Sequence, residues 1–416
     1  MRKQLVAVVA VLVVVSGFLM AADWPGFLGA DRNGVSTETG LAKSWPEGGP
    51  KELWKFDLGT GFGPAAIEGG KVYILDRVEN KQEVLRCIDL AGGKEEWSCA
   101  YDAPPAGKMD YPGSRPTPSI DDKYVFTVGT YGRFTCVSKE THKLVWSKNL
   151  SEFGSKMPIW GYSQSPLLYK GMVIVAPESA DIGVMALDKA TGDVKWKSKP
   201  VGAMAYGSPV LAKIGGVDQI VILNNSGGSA GISASDGSIA WTYDGWKCKV
   251  AVVPSATIIG DGRIFFTGGY NAGSAMIKVV DVGEGKFEAK ELWKSKKVGS
   301  HVQNGVFWKD HLYVNSDNTA KGLVCLDLDG NILWETGNKP GFDKGNLIIA
   351  DGMIYIMGGS GGTLRLVEAN PEAYKEVSSA KVLKGEMVWS PMALSDGKLV
   401  VRDQNQMKCL DVSAAK

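Results

Sequence analysis

The sequence predicts an all-β fold: one eight-bladed β-propeller, four antiparallel strands per blade, with the last blade closed by the N-terminal strand. Three observations predict it. A short motif, a small or apolar residue followed by an apolar one and usually an acid, recurs eight times at intervals of 49, 50, 47, 46, 46, 41 and 43 residues. A tight turn and then a tryptophan follow most copies. No stretch after the first two dozen residues keeps a 3.6-residue apolar period, and the 53 glycines are dispersed as frequent turns require. Four strands at a period of ~40–50 residues are the sequence signature of a propeller blade.

The chain begins with "MRKQLVAVVAVLVVVSGFLMAAD". Two basic residues, an apolar run from Leu5 to Met20 and an exit near Ala21 or Ala22 read as a secretory signal peptide, residues 1–22. The run is shorter than the ~20 residues needed to cross a bilayer. The alternative, a retained anchor, ranks below cleavage. A periplasmic or secreted protein without a stable membrane span is expected. Residues 23–50 form a lead-in, and residues 51–416 the single propeller domain.

The motif copies are Cys87-Ile88-Asp89, Cys136-Val137-Ser138, Ala186-Leu187-Asp188, Ser233-Ala234-Ser235, Val279-Val280-Asp281, Cys325-Leu326-Asp327, Leu366-Val367-Glu368 and Cys409-Leu410-Asp411. The tryptophans after them are Trp97, Trp146, Trp196, Trp241, Trp293 and Trp334. Two more β-rich runs precede each motif, as in "SPLLY" and "GMVIVAP" of the third unit. The eighth unit ends with the chain, lacking a fourth strand and its Trp. "KELWKFDL", residues 51–58, supplies both, with Trp54 in the repeat position. A strand from the N-terminus then closes the ring by backbone hydrogen bonds and leaves no open edge. The seventh unit has no Trp of its own, and "NPEAYKEVSSA", residues 370–380, is the best candidate for a short helical turn. Each repeat Trp is expected to bury ~150–250 Å² between blades, worth ~4–6 kcal/mol.

The stretch "GVMALDKATGDVKW", residues 183–196, resembles the repeat of pyrroloquinoline-quinone (PQQ) propeller proteins, and "DWPGFLGADRNGVS", residues 23–36, resembles the lead-in of exported bacterial members. The resemblance covers nearly all of the mature chain and implies eight blades with a Trp docking motif. It spans two functional classes. One is the quinoprotein alcohol dehydrogenases, which carry PQQ, usually Ca²⁺, and an Asp base near the axis. The other is the non-catalytic propellers, such as the lipoprotein of the outer-membrane β-barrel assembly machinery. The sequence departs from the first class in having no adjacent cysteine pair and no long insertions, and it has no CxxCH haem site. It departs from the second in lacking a Cys for lipid attachment.

Composition narrows the function further. Lys+Arg 46 against Asp+Glu 45 gives a net charge of +1 without a basic block, so no nucleic-acid partner is expected. Four of the six cysteines, Cys87, Cys136, Cys325 and Cys409, occupy one position of the repeat. Equivalent points on stacked sheets lie ~10 Å apart, beyond the ~7 Å between Cα atoms that a disulfide tolerates, so free buried thiols are expected. "GGSGG" at 358–362 matches a nucleophile elbow but links two strands, and "DLDGN" at 327–331 is a hairpin turn lacking the remaining ligands of a calcium loop. His142 replaces a turn glycine, His311 lies in another turn, and neither belongs to a metal-spaced pair.

The residues leading into the innermost strands should encircle one mouth of the axial channel. Arg115, Tyr162, Gln164, Tyr206, His301, Gln303, Lys344 and Trp389 are the candidate binding residues there, with Asp343 the nearest carboxylate. The alternative is ordinary loop polarity with water contacts. No catalytic or metal-ligating residue is assigned. The expected function is binding: an exported, monomeric scaffold or recognition protein of the cell envelope, without a cofactor, for a protein or extended ligand. The alternative is a PQQ-dependent dehydrogenase of reduced size acting on an alcohol or sugar with PQQ and Ca²⁺. A carbohydrate-binding or hydrolytic propeller ranks third, because the ring is poor in carboxylates.

Overall fold

A computed structural model describes residues 22–105, 111–203, 205–225 and 228–415. The signal-peptide segment up to residue 21 lies outside them. Eight sheets are arranged in sequence order around an axis. Blade 1 shows the plan: Ala66–Glu68 innermost, then Lys71–Val78, Gln82–Asp89 and, outermost, Glu95–Asp102. Its strands pair antiparallel throughout. The second and third strands are almost wholly buried, because each is covered on both faces by neighbouring blades. The outermost strand alternates between exposed residues and half-buried or buried ones because one face meets solvent.

Blade 8 takes its outermost strand from the other end of the chain. Lys51–Asp57 pairs antiparallel with Gln406–Asp411, Trp54 opposite Cys409. The ring is therefore closed by a hydrogen-bonded ladder within one sheet.

The repeat tryptophans lock blade to blade. The Trp54 indole N–H donates to the Leu90 carbonyl in the turn of blade 1 (2.8 Å). Trp146, Trp293 and Trp334 make the same bond to Lys189, Leu328 and Asn370 of the next blade (2.9, 2.8 and 3.1 Å). The indole lies so close to the turn that only glycine fits: a Cβ on Gly93, at φ +70°, would sit 2.5 Å from Trp54 Cγ. In blade 2, His142 takes the glycine's place at φ 58° and stacks on Trp97 at 4.7 Å.

Two motif registers shift. In blade 4, Trp241 pairs with Gly231, and in blade 5, Trp293 pairs with Met276. The residues equivalent to Cys87 are therefore Gly231 and Met276, two and three positions before Ser233 and Val279. Blade 5 has an extended hairpin, Gly273–Gly283 with Lys286–Ser295, which carries Asp281 beyond the usual turn. The expected helical turn at 370–380 is replaced by the fourth strand of blade 7, Glu376–Lys381. Among the described residues the single helix is a 3₁₀ turn, Leu150–Phe153.

Blade 7, which has Ser378 where the others have Trp, borrows one. Trp45 of the lead-in is buried there, its backbone N–H donating to Ser378 Oγ (2.9 Å) and its ring 6.0 Å from Tyr355. Tyr73–Trp97 and Tyr313–Trp334 are the equivalent pairs within blades 1 and 6.

The rest of the lead-in enters the channel. Trp24 bridges Ile67 of blade 1, and the Pro25 carbonyl accepts from Ile120 of blade 2. The Arg32 guanidinium donates to the carbonyls of Ser165 and Pro166 in blade 3 (2.9 and 2.7 Å). Val35–Ser36 then adds a parallel strand to the innermost strand of blade 7, opposite blade 3 in the ring. The segment thus spans the channel. Burial lowers the Arg32 pKa to about 9, which leaves it cationic at neutral pH.

Candidate functional site

The mouth is built by the segments that run from each outermost strand to the next innermost one. A ladder of side chains fixes their relative heights. Ser165 Oγ accepts from the Thr117 N–H, Ser208 Oγ from Ser165, Ser255 Oγ from Ser208, and Asn304 Oδ1 from Ser255, all at 2.8–2.9 Å. Each short polar side chain thereby joins two blades where no sheet hydrogen bond can. Just before this ladder, the backbone turns side chains toward the axis.

These side chains enclose a cavity of about 310 Å³, at the small end of the ~300–1,000 Å³ usual for ligand sites. Phe27, from the lead-in, is among its lining residues. The lining includes Phe62, Tyr111, Trp160, Tyr206, Tyr270 and Trp389, and among the described residues it contains no carboxylate.

Six of the eight sequence candidates meet here: Arg115, Tyr206, His301, Gln303, Lys344 and Trp389. Their partners differ. Trp389 stacks on Phe62 (centroids 5.6 Å, planes 24° apart), and Tyr111 leans on both rings. Lys344 Nζ lies 4.4 Å over the Trp389 ring, and the Arg115 guanidinium 5.8 Å over Phe62. Arg115 also donates to the carbonyls of Gly113 (3.0 Å) and Tyr111. Burial lowers its pKa to about 10, so it stays charged. The Trp389 indole N–H donates to Asp343 Oδ2 (3.1 Å). Asp343 itself is exposed and outside the cavity. His301 contacts Asp317 (3.1 Å) and packs against Tyr270.

Gln303 is a positioning residue. Its amide donates to the carbonyls of Lys344 and Trp389, both at 2.8 Å, and accepts from Asn346 (2.7 Å). One buried side chain thus ties the cavity-lining segments of blades 6, 7 and 8 together.

Tyr162 and Gln164 are placed elsewhere. Tyr162 is buried between blades, its hydroxyl bonded to Ser155 Oγ (2.9 Å). Gln164 is buried and donates to Glu178 Oε2 (3.0 Å). Glu178 also accepts from the Ala205 N–H (2.8 Å), beside Tyr206, and burial pushes its carboxyl up to about 8. The cause of the misplacement is register. The residue four positions before the innermost strand lines the cavity in seven blades, as Phe62, Arg115, Ser163, Tyr206, Val253, Val302 and Trp389. In blade 3 that residue is Ser163, flanked by the two sequence candidates. Counting back from the innermost strands would also have found Phe62. Phe27 and Tyr270, from the lead-in and a hairpin, carry no such signal.

All six cysteines are unpaired, and five of them are buried. Burial pushes the Cys87 thiol up to about 11 and Cys325 and Cys409 to about 12, which suppresses thiolate chemistry. Among the described residues no group of three or more His, Cys, Asp or Glu side chains converges as a metal site. Nor is any helix there long and apolar enough to cross a membrane.

Comparison with solved structures gives the fold wide company at low identity. The quinohemoprotein alcohol dehydrogenase of Comamonas testosteroni is 13% identical, with TM-score 0.65 over 95% of this chain and 81% of that one. BamB from Moraxella catarrhalis is 14% identical, with TM-score 0.61 over 88% and 98% of the two chains. A europium-containing methanol dehydrogenase is 12% identical, with TM-score 0.64 over 91% and 89%. Identities this low show a shared fold. No curated protein matches the sequence. A protein-family match covers residues 80–336, more than half of the chain, and on that match the chain belongs to the family described as outer membrane protein assembly factor BamB.

Proposed function

We propose that the chain is an exported, non-catalytic propeller that binds a protein partner in the cell envelope through its axial mouth. The observation that carries this reading is the composition of the cavity among the described residues: aromatic walls, two cations and no carboxylate. Tyr, Trp and Arg are the residue types enriched at binding hot spots. The family description, an outer-membrane assembly factor, supports a protein partner and an envelope location.

The residues present do not fit a calcium-bound quinone. Ca²⁺ takes ~6–8 oxygen ligands with carboxylates among them, whereas among the described residues the lining offers Tyr, Ser and Gln side-chain oxygens. Among the described residues no lining group is a carboxylate base. Phe27 of the lead-in also lines the cavity.

The test is site-specific photo-crosslinking in the exporting cell. A photoreactive side chain replaces Ile159, exposed at the mouth, or Val282, exposed on the extended hairpin of blade 5 at the opposite end. The Ile159 probe is expected to yield a discrete protein adduct, and the Val282 probe none. Adducts only from Val282, or none from Ile159, would move the binding face away from the mouth.

A further inference from the structure

We infer that the mouth takes an acidic peptide segment carrying an aromatic side chain, with the ring inserted in the cavity and its carboxylates held by Arg115, Lys344 and the lysines around the rim. This deepens the binding role proposed above and rests on it.

Three independent features point to that chemistry. The first is the pair of cations inside the cavity. Arg115 and Lys344 are held over aromatic rings, and neither forms an ion pair among the described residues. Without a contacting carboxylate, such cations can still attract an incoming anion. Partly desolvated surroundings strengthen that attraction.

The second is a polarised charge distribution. The segments leading into the innermost strands carry ten Lys or Arg against four Asp or Glu among the described residues. Lys156, Lys199, Lys247, Lys249, Lys296 and Lys297 are exposed there. Adding the loops between second and third strands makes eleven against eight for the mouth end, and two of those acids, Glu178 and Asp403, are buried. The turns at the opposite end carry eight basic residues against thirteen acidic ones. A chain with a net charge of +1 thus presents a positive mouth and a negative back. The resulting field steers an acidic partner to the mouth and repels it from the back.

The third is the shape and chemistry of the apolar surface. Tyr111 and Tyr270 are 44% and 42% exposed and line the cavity, and Ile159 and Val250, each next in sequence to a lining residue (Trp160 and Ala251), are exposed as well. Phe27 is among the aromatic residues that line the cavity. The cavity volume of about 310 Å³ suits one aromatic side chain, and Trp389, Phe62 and Tyr111 supply faces and edges for it to pack on. A single cavity does not track a run of stacked bases, as the charged grooves of single-stranded nucleic-acid binders do.

The experiment is fluorescence anisotropy of the purified mature chain with three labelled probes: a glutamate-rich peptide with a central Phe, its lysine-rich counterpart, and oligothymidylate. The acidic peptide is expected to bind at least about tenfold more tightly than the other two, with an affinity that falls as salt rises. Replacing its Phe by Ala should weaken it about tenfold. Arg115→Gln combined with Lys344→Gln should weaken it by about tenfold or more, and the charge-retaining Arg115→Lys should not. Lys309→Gln, in a turn of the opposite end, should leave binding unchanged. Thermal melts of each variant establish that the ring is intact. Equal binding of the lysine-rich peptide, or binding indifferent to the double substitution, overturns the inference. Preference for oligothymidylate overturns it in favour of nucleic acid. If no probe binds while the Ile159 crosslinker still captures a protein, the acidic class is wrong and the binding role stands. If neither gives a signal, both fall.

Discussion

Truncating Trp54 to Ala is the sharpest perturbation of the ring closure. The side chain is 7% exposed, on a strand contributed by the opposite end of the chain. Its burial of ~150–250 Å² is worth ~4–6 kcal/mol. Its N–H bond to the Leu90 carbonyl contributes about 1 kcal/mol more. Ala retains part of the area and the neighbours relax, so the expected net loss is ~3–5 kcal/mol. Trp54→Phe keeps an aromatic ring against Gly93 while removing the donor, and should cost ~1–2 kcal/mol. Gly93→Ala attacks the same contact from blade 1. It adds a Cβ at 2.5 Å from Trp54 Cγ in a left-handed backbone, so its cost should exceed the ~1 kcal/mol of the conformation alone. The assay is urea unfolding followed by far-ultraviolet circular dichroism, which reports the sheets. A Trp54→Ala variant within about 0.5 kcal/mol of the parent, the range of an ordinary surface change, would refute the closure.

Other consequences follow from single contacts. Trp45→Ala should destabilise by ~3–5 kcal/mol, although Trp45 lies outside the repeat, because it fills the Trp place of blade 7; a loss below about 1 kcal/mol in the same urea assay would show that the borrowed ring is idle. Glu178 has a folded pKa of about 8 against ~4.3 unfolded. Between those values the unfolded chain has released a proton that the native state keeps, so stability falls as pH rises and levels off above about 8. Glu178→Gln should abolish that slope and gain on the order of 3–5 kcal/mol at alkaline pH, measured as urea midpoints across pH; an unchanged slope would contradict the account. Thiol titration of the denatured protein without reductant should find all six cysteines free, and a native disulfide would contradict the blade packing.

The blade architecture was legible in the sequence because its determinants are local. A turn and a Trp recur at a spacing set by the length of one sheet, and the displaced Trp54 gave away the closure. Registers slipped where the motif rule met the wrong local residues. Ser233-Ala234-Ser235 runs into a turn, and Asp281 lies on an extended hairpin, so small-apolar-acid patterns there lie two or three places beyond the Trp-paired position. Trp45 was invisible as a blade residue because its partners, Tyr355 and Ser378, are over 300 positions away. At the mouth, the loops before the innermost strands were the right place to look. Facing is decided residue by residue, though: Ser163 turns to the axis, and Tyr162 and Gln164 on either side turn into the blades. Phe27 escaped for another reason. Nothing local to "DWPGFLG" says that the lead-in enters the channel; that follows from Arg32 and Val35 finding blades 3 and 7.

The central claim is that this propeller binds and has no oxidative chemistry of its own. It is tested most directly by adding PQQ and Ca²⁺ to the purified chain, separating free quinone by gel filtration, and recording the absorption spectrum. Dye reduction is then measured with a panel of alcohols and sugars. The account predicts no stoichiometric retention of the quinone and no dye reduction above the protein-free background. Stoichiometric retention together with substrate-dependent dye reduction would contradict it and make the chain a quinoprotein dehydrogenase.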